Sequence, residues 1–309
     1  MRLSRRAFTL VELVVAAAIA GVAAAIMTAT LVRQQKFFSS AGEVLAVRSQ
    51  LRDGADILAT DIRSASVARF GLPVMTDTAI EMTTVIASSV VCTSASVTSV
   101  GLPPVNLVSG STLTSMLAPP DTGDMAAIFT MAGGISDSAR WDTYRVAAFA
   151  SRSIASTCPS STGFVTPGDE FTGATGFLLT LSTAAPAPLR KGSIVHFLRR
   201  ARYSLYRSSD GDWYLGYRRC GAVAPHACGA IQPVSGPYAP YRASGSSGMS
   251  FRYYDATGAE VAGGGGTTVA RVDIVLRGEA RFGISLAGDA RRAWDDSAIV
   301  SVSPRNRAR

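Results

Sequence analysis

Four cysteines, two histidines and a hairpin dense in arginine are the residues of this chain that could do chemistry. Cys92, Cys158, Cys220 and Cys228 are even in number, as disulfides require, and four cysteines allow three pairings. Cys220 and Cys228 would close a short loop around Pro225, and Cys92 with Cys158 would staple the earlier half; this is the pairing we favour. A metal held by Cys220, His226 and Cys228 would lack a fourth ligand and the usual two-to-four-residue cysteine spacing. His196 falls in a strand pattern and His226 in the cysteine loop, and no Gly-x-Ser-x-Gly elbow accompanies them. Gly263–Gly266 lacks the Lys-Ser/Thr of a phosphate loop. Asp210/Asp212 and Asp295/Asp296 read as turn and surface acids, and no EF-type calcium spacing appears. We therefore assign no catalytic residue, metal or cofactor, and expect a protein that is not an enzyme.

The arginines admit two readings. Arg199, Arg200, Arg202, Arg207, Arg218 and Arg219 are interleaved with Tyr203, Tyr206, Trp213, Tyr214 and Tyr217. Such a pattern can grip phosphates and stack bases. Arg199, Arg200, Arg202, Arg218 and Arg219 would then form an anionic-ligand patch, with DNA as a candidate partner. It also fits a strand whose aromatics enter the core while arginines solubilise the other face. We weigh the second reading above the first.

Composition narrows the class. The 309 residues are 47% hydrophobic and 17% charged, which excludes a chain disordered throughout. The formal charge is +8, and all but two of the 30 basic residues are arginine; Lys36 and Lys191 are the exceptions.

The N-terminus is the most telling region. Leu13 to Val32 carries no charge, and its 20 residues would span about 30 Å, one bilayer core. Arg2, Arg5 and Arg6 precede it and would stay cytoplasmic. A cleaved signal peptide and a plain signal anchor share these features. Glu12 suits neither, because a carboxylate within such a segment costs about 2.5–3.5 kcal/mol. Cleavage before Phe8 would supply a partner, the new α-amino group.

Arg5-Arg6-Ala7 followed by Phe8-Thr9-Leu10-Val11-Glu12 resembles the leader of type IV pilins and type II secretion pseudopilins. The resemblance covers about 25 residues. It implies cleavage between Ala7 and Phe8 by a membrane-embedded prepilin peptidase, followed by N-methylation of Phe8. It also implies that Glu12 neutralises the N-terminal amine of a neighbouring subunit during assembly. Alanine stands at position 7, where the family usually has glycine. The implied partners are the peptidase, other pilin or pseudopilin subunits, the inner-membrane assembly platform, and lipid before assembly. The implied location is a single pass through the bacterial inner membrane with an extracytoplasmic head, then a pilus or pseudopilus filament. Val272-Asp273-Ile274 and Arg305-Asn306-Arg307 resemble the close of PilW-like minor pilins and J-type pseudopilins. A bulky head points to a minor subunit at the tip or in priming. A J-type pseudopilin and a membrane-anchored DNA- or surface-binding module are the alternatives.

The elements that must carry these residues follow from periodicity. Phe37, Ala41, Val44, Leu51, Ala55, Leu58, Ile62 and Ala65 recur mostly at steps of 3, 4 or 7, and Arg48 interrupts the stripe. A helix is expected from Phe8 to about Ala68. The boundaries are a leader at 1–7, an assembly helix at 8–32, an amphipathic continuation at 33–70 and a β-rich head at 71–309. Strands are expected at Ala79–Ile86, Asp124–Thr130, Tyr144–Ser151 and Phe177–Ser182. A hairpin is expected from Ile194–Arg207 to Trp213–Arg218 around Asp210-Gly211, whose glycine tolerates positive φ. Met249–Tyr254, Thr268–Arg277 and Ala298–Ser303 follow, with Ser235–Gly248 as a loop. The fold class is α+β, a long N-terminal helix packed on a β-sheet-rich head.

Overall fold

The computed structural model describes residues 9–131, 139–222, 224–263, 266–285, 290 and 292–305. Helix α1 runs from Leu10 to Ser64, 55 residues and about 82 Å by rise alone. It stops short of Ala68: Ala65 is extended, and a short turn, α2 (Val67–Phe70), follows after Ser66. The reason is a competing partner. Ser66 donates its N–H to the Thr83 carbonyl at 2.8 Å, so the chain leaves the helix to join a strand.

That strand is β2 (Ala79–Val90), preceded by β1 (Val74–Met75) and followed by β3 (Thr93–Ser96), β4 (Ser99–Leu102), β5 (Ser115–Met116), β6 (Met125–Met131) and β7 (Ala139–Ser153). Two short helices, α3 (Ile154–Thr157) and α4 (Pro167–Phe171), precede β8 (Thr175–Leu181), β9 (Ile194–Arg207) and β10 (Trp213–Cys220). Then come β11 (Gln232–Tyr238), β12 (Met249–Tyr254), β13 (Arg271–Glu279) and β14 (Asp295–Val302).

Among the described residues the first eleven strands form one antiparallel sheet. Its spine is β9, which pairs β2 along one edge and β6 and then β10 along the other. The Asp210-Gly211 turn joins β9 to β10, with Gly211 at φ 91°. Beyond β6 the order continues β7-β8-β4-β3. Strands β12-β13-β14 form a second, three-stranded sheet. The segment expected to be a loop from Ser235 is in part strand: β11 extends to Tyr238 and pairs with β10 through shifted register. Its prolines, Pro233 and Pro237, are tolerated because β11 is an edge strand, where missing N–H groups break no ladder.

The outer half of α1 is packed against both sheets. Val47, Leu51, Ala55, Leu58, Ala59 and Ile62 form one core with Ile80, Met82, Tyr203 and Leu215 of the large sheet and Phe251, Val272, Ile274 and Leu276 of the small one. Burying such side chains stabilises by about 1.5–3 kcal/mol each. The buried stripe runs through Ser40, Val47, Leu51 and Gly54, so Phe37 at its expected start is instead exposed. Arg48 leaves the core: it pairs with Asp296 at 2.8 Å and lies 5.9 Å over the Trp294 ring. Gly54 is needed for close approach, since a Cβ there would collide with the Tyr238 hydroxyl.

Candidate functional site

Alanine-rich, free of proline and uncharged from Leu13 to Val32, the inner half of α1 has the propensity to stay helical without tertiary support. Its first turn is closed by a capping box. Thr9 Oγ1 accepts from the Glu12 N–H at 3.3 Å, and Glu12 Oε2 accepts from the Thr9 N–H at 3.0 Å. Glu12 is thus held at the helix N-terminus, where the backbone dipole favours negative charge. Ala7 and Phe8 lie outside the described residues. From Leu10 to Leu31 the large apolar side chains are exposed, Ile19 by 66%. The helix is long and apolar enough to cross a membrane. One chain therefore carries a complete apolar cylinder that its own head does not cover.

The cysteines are joined as Cys92–Cys158 and Cys220–Cys228. The first bridge spans 66 residues and sits in a small core with Leu107, Ile154 and Val165. The second spans eight residues at the end of β10. Glu81 lies beside it, with one carboxylate oxygen and both sulfurs within 4.8 Å of one another. The trio does not fit a metal. The two sulfurs are bonded to each other, so neither offers a thiolate, and Glu81 already pairs with Arg200. His226 directs Nδ1 to the Gly221 carbonyl at 3.0 Å, inside its own loop.

The five arginines of the hairpin do not form one patch. Side chains alternate across a strand, and β9 and β10 pair without slippage, Arg202 opposite Arg218 and Arg200 opposite Cys220. Arg199 and Arg219 therefore share the helix-facing side with Tyr203 and Tyr217, whereas Arg200, Arg202 and Arg218 occupy the reverse side. On the helix side both guanidinium groups converge on buried Asp124. Arg199 approaches at 2.8 Å and Arg219 at 3.0 Å, and Arg219 also reaches Asp121 at 2.7 Å. The Arg219 hydrogen bond holds the Asp121 carboxyl below its ordinary range. On the reverse side Glu81 takes Arg200. Three of the five charges are thus matched by acids of the same chain. Strand alternation could have separated Arg199 from Arg200 and Arg218 from Arg219. No sequence signal links them to Glu81, Asp121 and Asp124, which lie 75 to 119 residues away from the arginines they pair.

Sequence reasoning also missed Asp61, a carboxylate of α1 that receives the Tyr203 hydroxyl proton in a hydrogen bond beneath the sheet. Burial pushes the Asp61 carboxyl above its ordinary range, and Tyr203 is pushed up in turn by burial and by the nearby Asp61 charge.

Among the described residues, nucleophile, base and metal-ligand chemistry do not converge anywhere; the exposed helix is the feature set apart. A family model described as the prokaryotic N-terminal methylation motif matches residues 2–28. Comparison with curated proteins and with solved structures gives no match. The matched segment contains Ala7, Phe8, Glu12 and most of the apolar run, and it carries prepilin-type chemistry: processing by a prepilin peptidase and assembly with other pilin-type subunits.

Proposed function

We propose that this chain is a minor pilin-like structural subunit of a type IV pilus, acting at the tip or in priming of assembly. The observation that carries the reading is the contrast along α1: the outer half is buried in the head, and the inner half, beside the methylation motif, is bare. Peptidase cleavage between Ala7 and Phe8 frees an α-amine, which is then N-methylated. Inside the membrane that amine and Glu12 are each costly to desolvate alone and stabilise one another when paired between neighbouring subunits. Pairing draws the Leu13–Val32 cylinder out of lipid and into a helix bundle, while the head stays outside the membrane. The ion-paired arginines weigh against a head specialised for DNA.

The test is the intact mass and N-terminal peptide of protein purified from sheared filaments or native membrane. A chain that begins at N-methylated Phe8 and retains its apolar helix is the expected result. A chain that still begins at Met1, or one cut beyond the apolar run, would overturn the proposal.

A further inference from the structure

A cleft opens in the head among β6, β7 and the chain at 186–193, which leads from β8 to β9. Its volume is about 310 Å³, at the small end of the roughly 300–1,000 Å³ usual for small-molecule sites. Strand alternation builds one side of it. Arg140, Asp142 and Tyr144 of β7 share a face, and β6 sets Thr130 opposite Arg140, Ile128 opposite Asp142 and Ala126 opposite Tyr144. Ala126, Ile128 and Tyr144 belong to a buried core. Toward the end of the two strands the same face turns polar, and Thr130, Arg140 and Asp142 line the cleft together with Tyr144.

The opposite wall is Pro186, Ala187, Pro188 and Leu189, followed by Arg190 and Ser193. It is pinned in place. Ala185 donates its N–H to the Val97 carbonyl at 2.8 Å, Leu189 to Ser94 Oγ at 3.2 Å and Gly192 to the Val91 carbonyl at 2.8 Å. The two prolines fix φ between the first two anchors. Such a wall is already ordered, which removes one cost of binding.

The cleft offers mainly donors. Asp142 is occupied: Arg140 Nε lies 3.0 Å from it, and Thr130 Oγ1 donates to it at 2.8 Å. Arg140 is engaged through Nε, so its Nη groups are left over. The Arg190 guanidinium and the Ser193 hydroxyl have no partner among the described residues. Tyr144 is only 7% exposed, yet its hydroxyl too has no hydrogen-bond partner among them. Burial pushes the Tyr144 phenol above its ordinary range; the Asp142 charge adds to this and the Arg140 charge opposes it, as expected of a hydroxyl close to that ion pair. A buried hydroxyl left unpaired is costly, and at the side of a cleft it marks a place for an occupant. Two guanidinium groups against one carboxylate leave the cleft with a net positive charge. A cationic or zwitterionic ligand would need a free carboxylate, and Asp142 is already paired.

We propose that this cleft binds a sugar acid of hexuronate size: its carboxylate on Arg190 and the Nη groups of Arg140, its ring oxygens on the Tyr144 and Ser193 hydroxyls, and its C–H face on the apolar wall at 186–189. The site gives the head a carbohydrate target and rests on the head alone, not on the assembly reading of the helix.

The experiment is saturation-transfer NMR on the full chain in detergent micelles. The probe is methyl galacturonoside, and methyl galactoside, with a hydroxymethyl group in place of the carboxylate, is its neutral counterpart. The galacturonoside should bind, less tightly at high salt, and the galactoside should bind at least about tenfold more weakly. Arg190→Gln, at an exposed residue, should weaken the galacturonoside at least about tenfold, and Tyr144→Phe, which keeps the buried ring, about threefold to tenfold. Tyr144→Phe should not lower the melting temperature, because the hydroxyl it removes has no partner within the head. Equal binding of the two glycosides, unchanged affinity in Arg190→Gln, or no saturation transfer to the galacturonoside would overturn the inference. So would acetate or inorganic phosphate binding as tightly as the galacturonoside, since neither has a ring to lay on the wall. None of these results bears on processing at the N-terminus, so the assembly reading stands or falls separately.

Discussion

The two halves of α1 are built from similar side chains and end in opposite environments. Leu51, Leu58 and Ile62 are buried against two sheets, whereas Leu13, Ile19 and Ile26 are exposed. The difference lies in arrangement. In the outer half, apolar residues occupy one stripe and Arg52, Asp53 and Asp56 face water. In the inner half they occupy the whole circumference, which a single head cannot cover. An all-round apolar helix requires a surrounding apolar medium, lipid or other helices. The comparison teaches that the outer half is tied to folding and the inner half to assembly, so that a substitution should damage one and spare the other.

The sharpest way to break that division is Glu12→Ala. Incorporation into filaments should be abolished, measured by the amount of subunit in sheared filaments, while thermal unfolding of the head is unchanged. Loss of head stability would mean the halves are not independent. Next in size is Leu58→Ala, at a fully buried site. It should cost about 2–5 kcal/mol by cavity formation, read as a lower melting temperature in detergent, whereas Ile19→Ala should leave that temperature in place.

A smaller effect concerns pH. Asp61 is pushed up by burial, so the folded chain binds its proton more tightly than the unfolded one. Its favourable contribution is full below about pH 4, the ordinary carboxylate range, and is lost as pH rises through the folded value. Asp61→Asn should therefore flatten the decline of melting temperature above about pH 4; an unchanged profile would show that Asp61 does not titrate against folding. Asp169 in the Cys92–Cys158 lobe has the opposite sign. Hydrogen bonds from Thr166 and the Val108 N–H hold it down, so its contribution is lost as pH falls. The smallest effect belongs to Arg48→Ala. Its pair with Asp296 is largely exposed, and removal should cost less than about 1 kcal/mol.

Legibility in the sequence followed the range of the interactions involved. The Asp210-Gly211 hairpin, the Met249–Tyr254 strand and the long N-terminal helix depend on neighbours in the chain, and their signals were local. The end of α1 was misjudged by a few residues because Thr83 captures the Ser66 N–H, a contact that periodicity does not encode. Strand β11 was hidden by Pro233 and Pro237, which suit an edge strand but argue against a central one. For the candidate site, the leader motif and Glu12 stood out by type and position. The arginine patch, the less favoured reading, is divided because adjacent residues in a strand point to opposite faces, and its pairing with Glu81, Asp121 and Asp124 arises only through the folded sheet.

In the proposed filament the subunit would also be a link that bears load, and the Cys92–Cys158 bridge would limit how far such a link can lengthen. The chain from one cysteine to the other covers a sequence separation of 66, about 220–240 Å if drawn straight. With the bridge intact, a head unravelled by tension between its helix and its last strand would keep that length looped out of the load path. Reduction would release it, turning a short, stiff tether into a long, slack one.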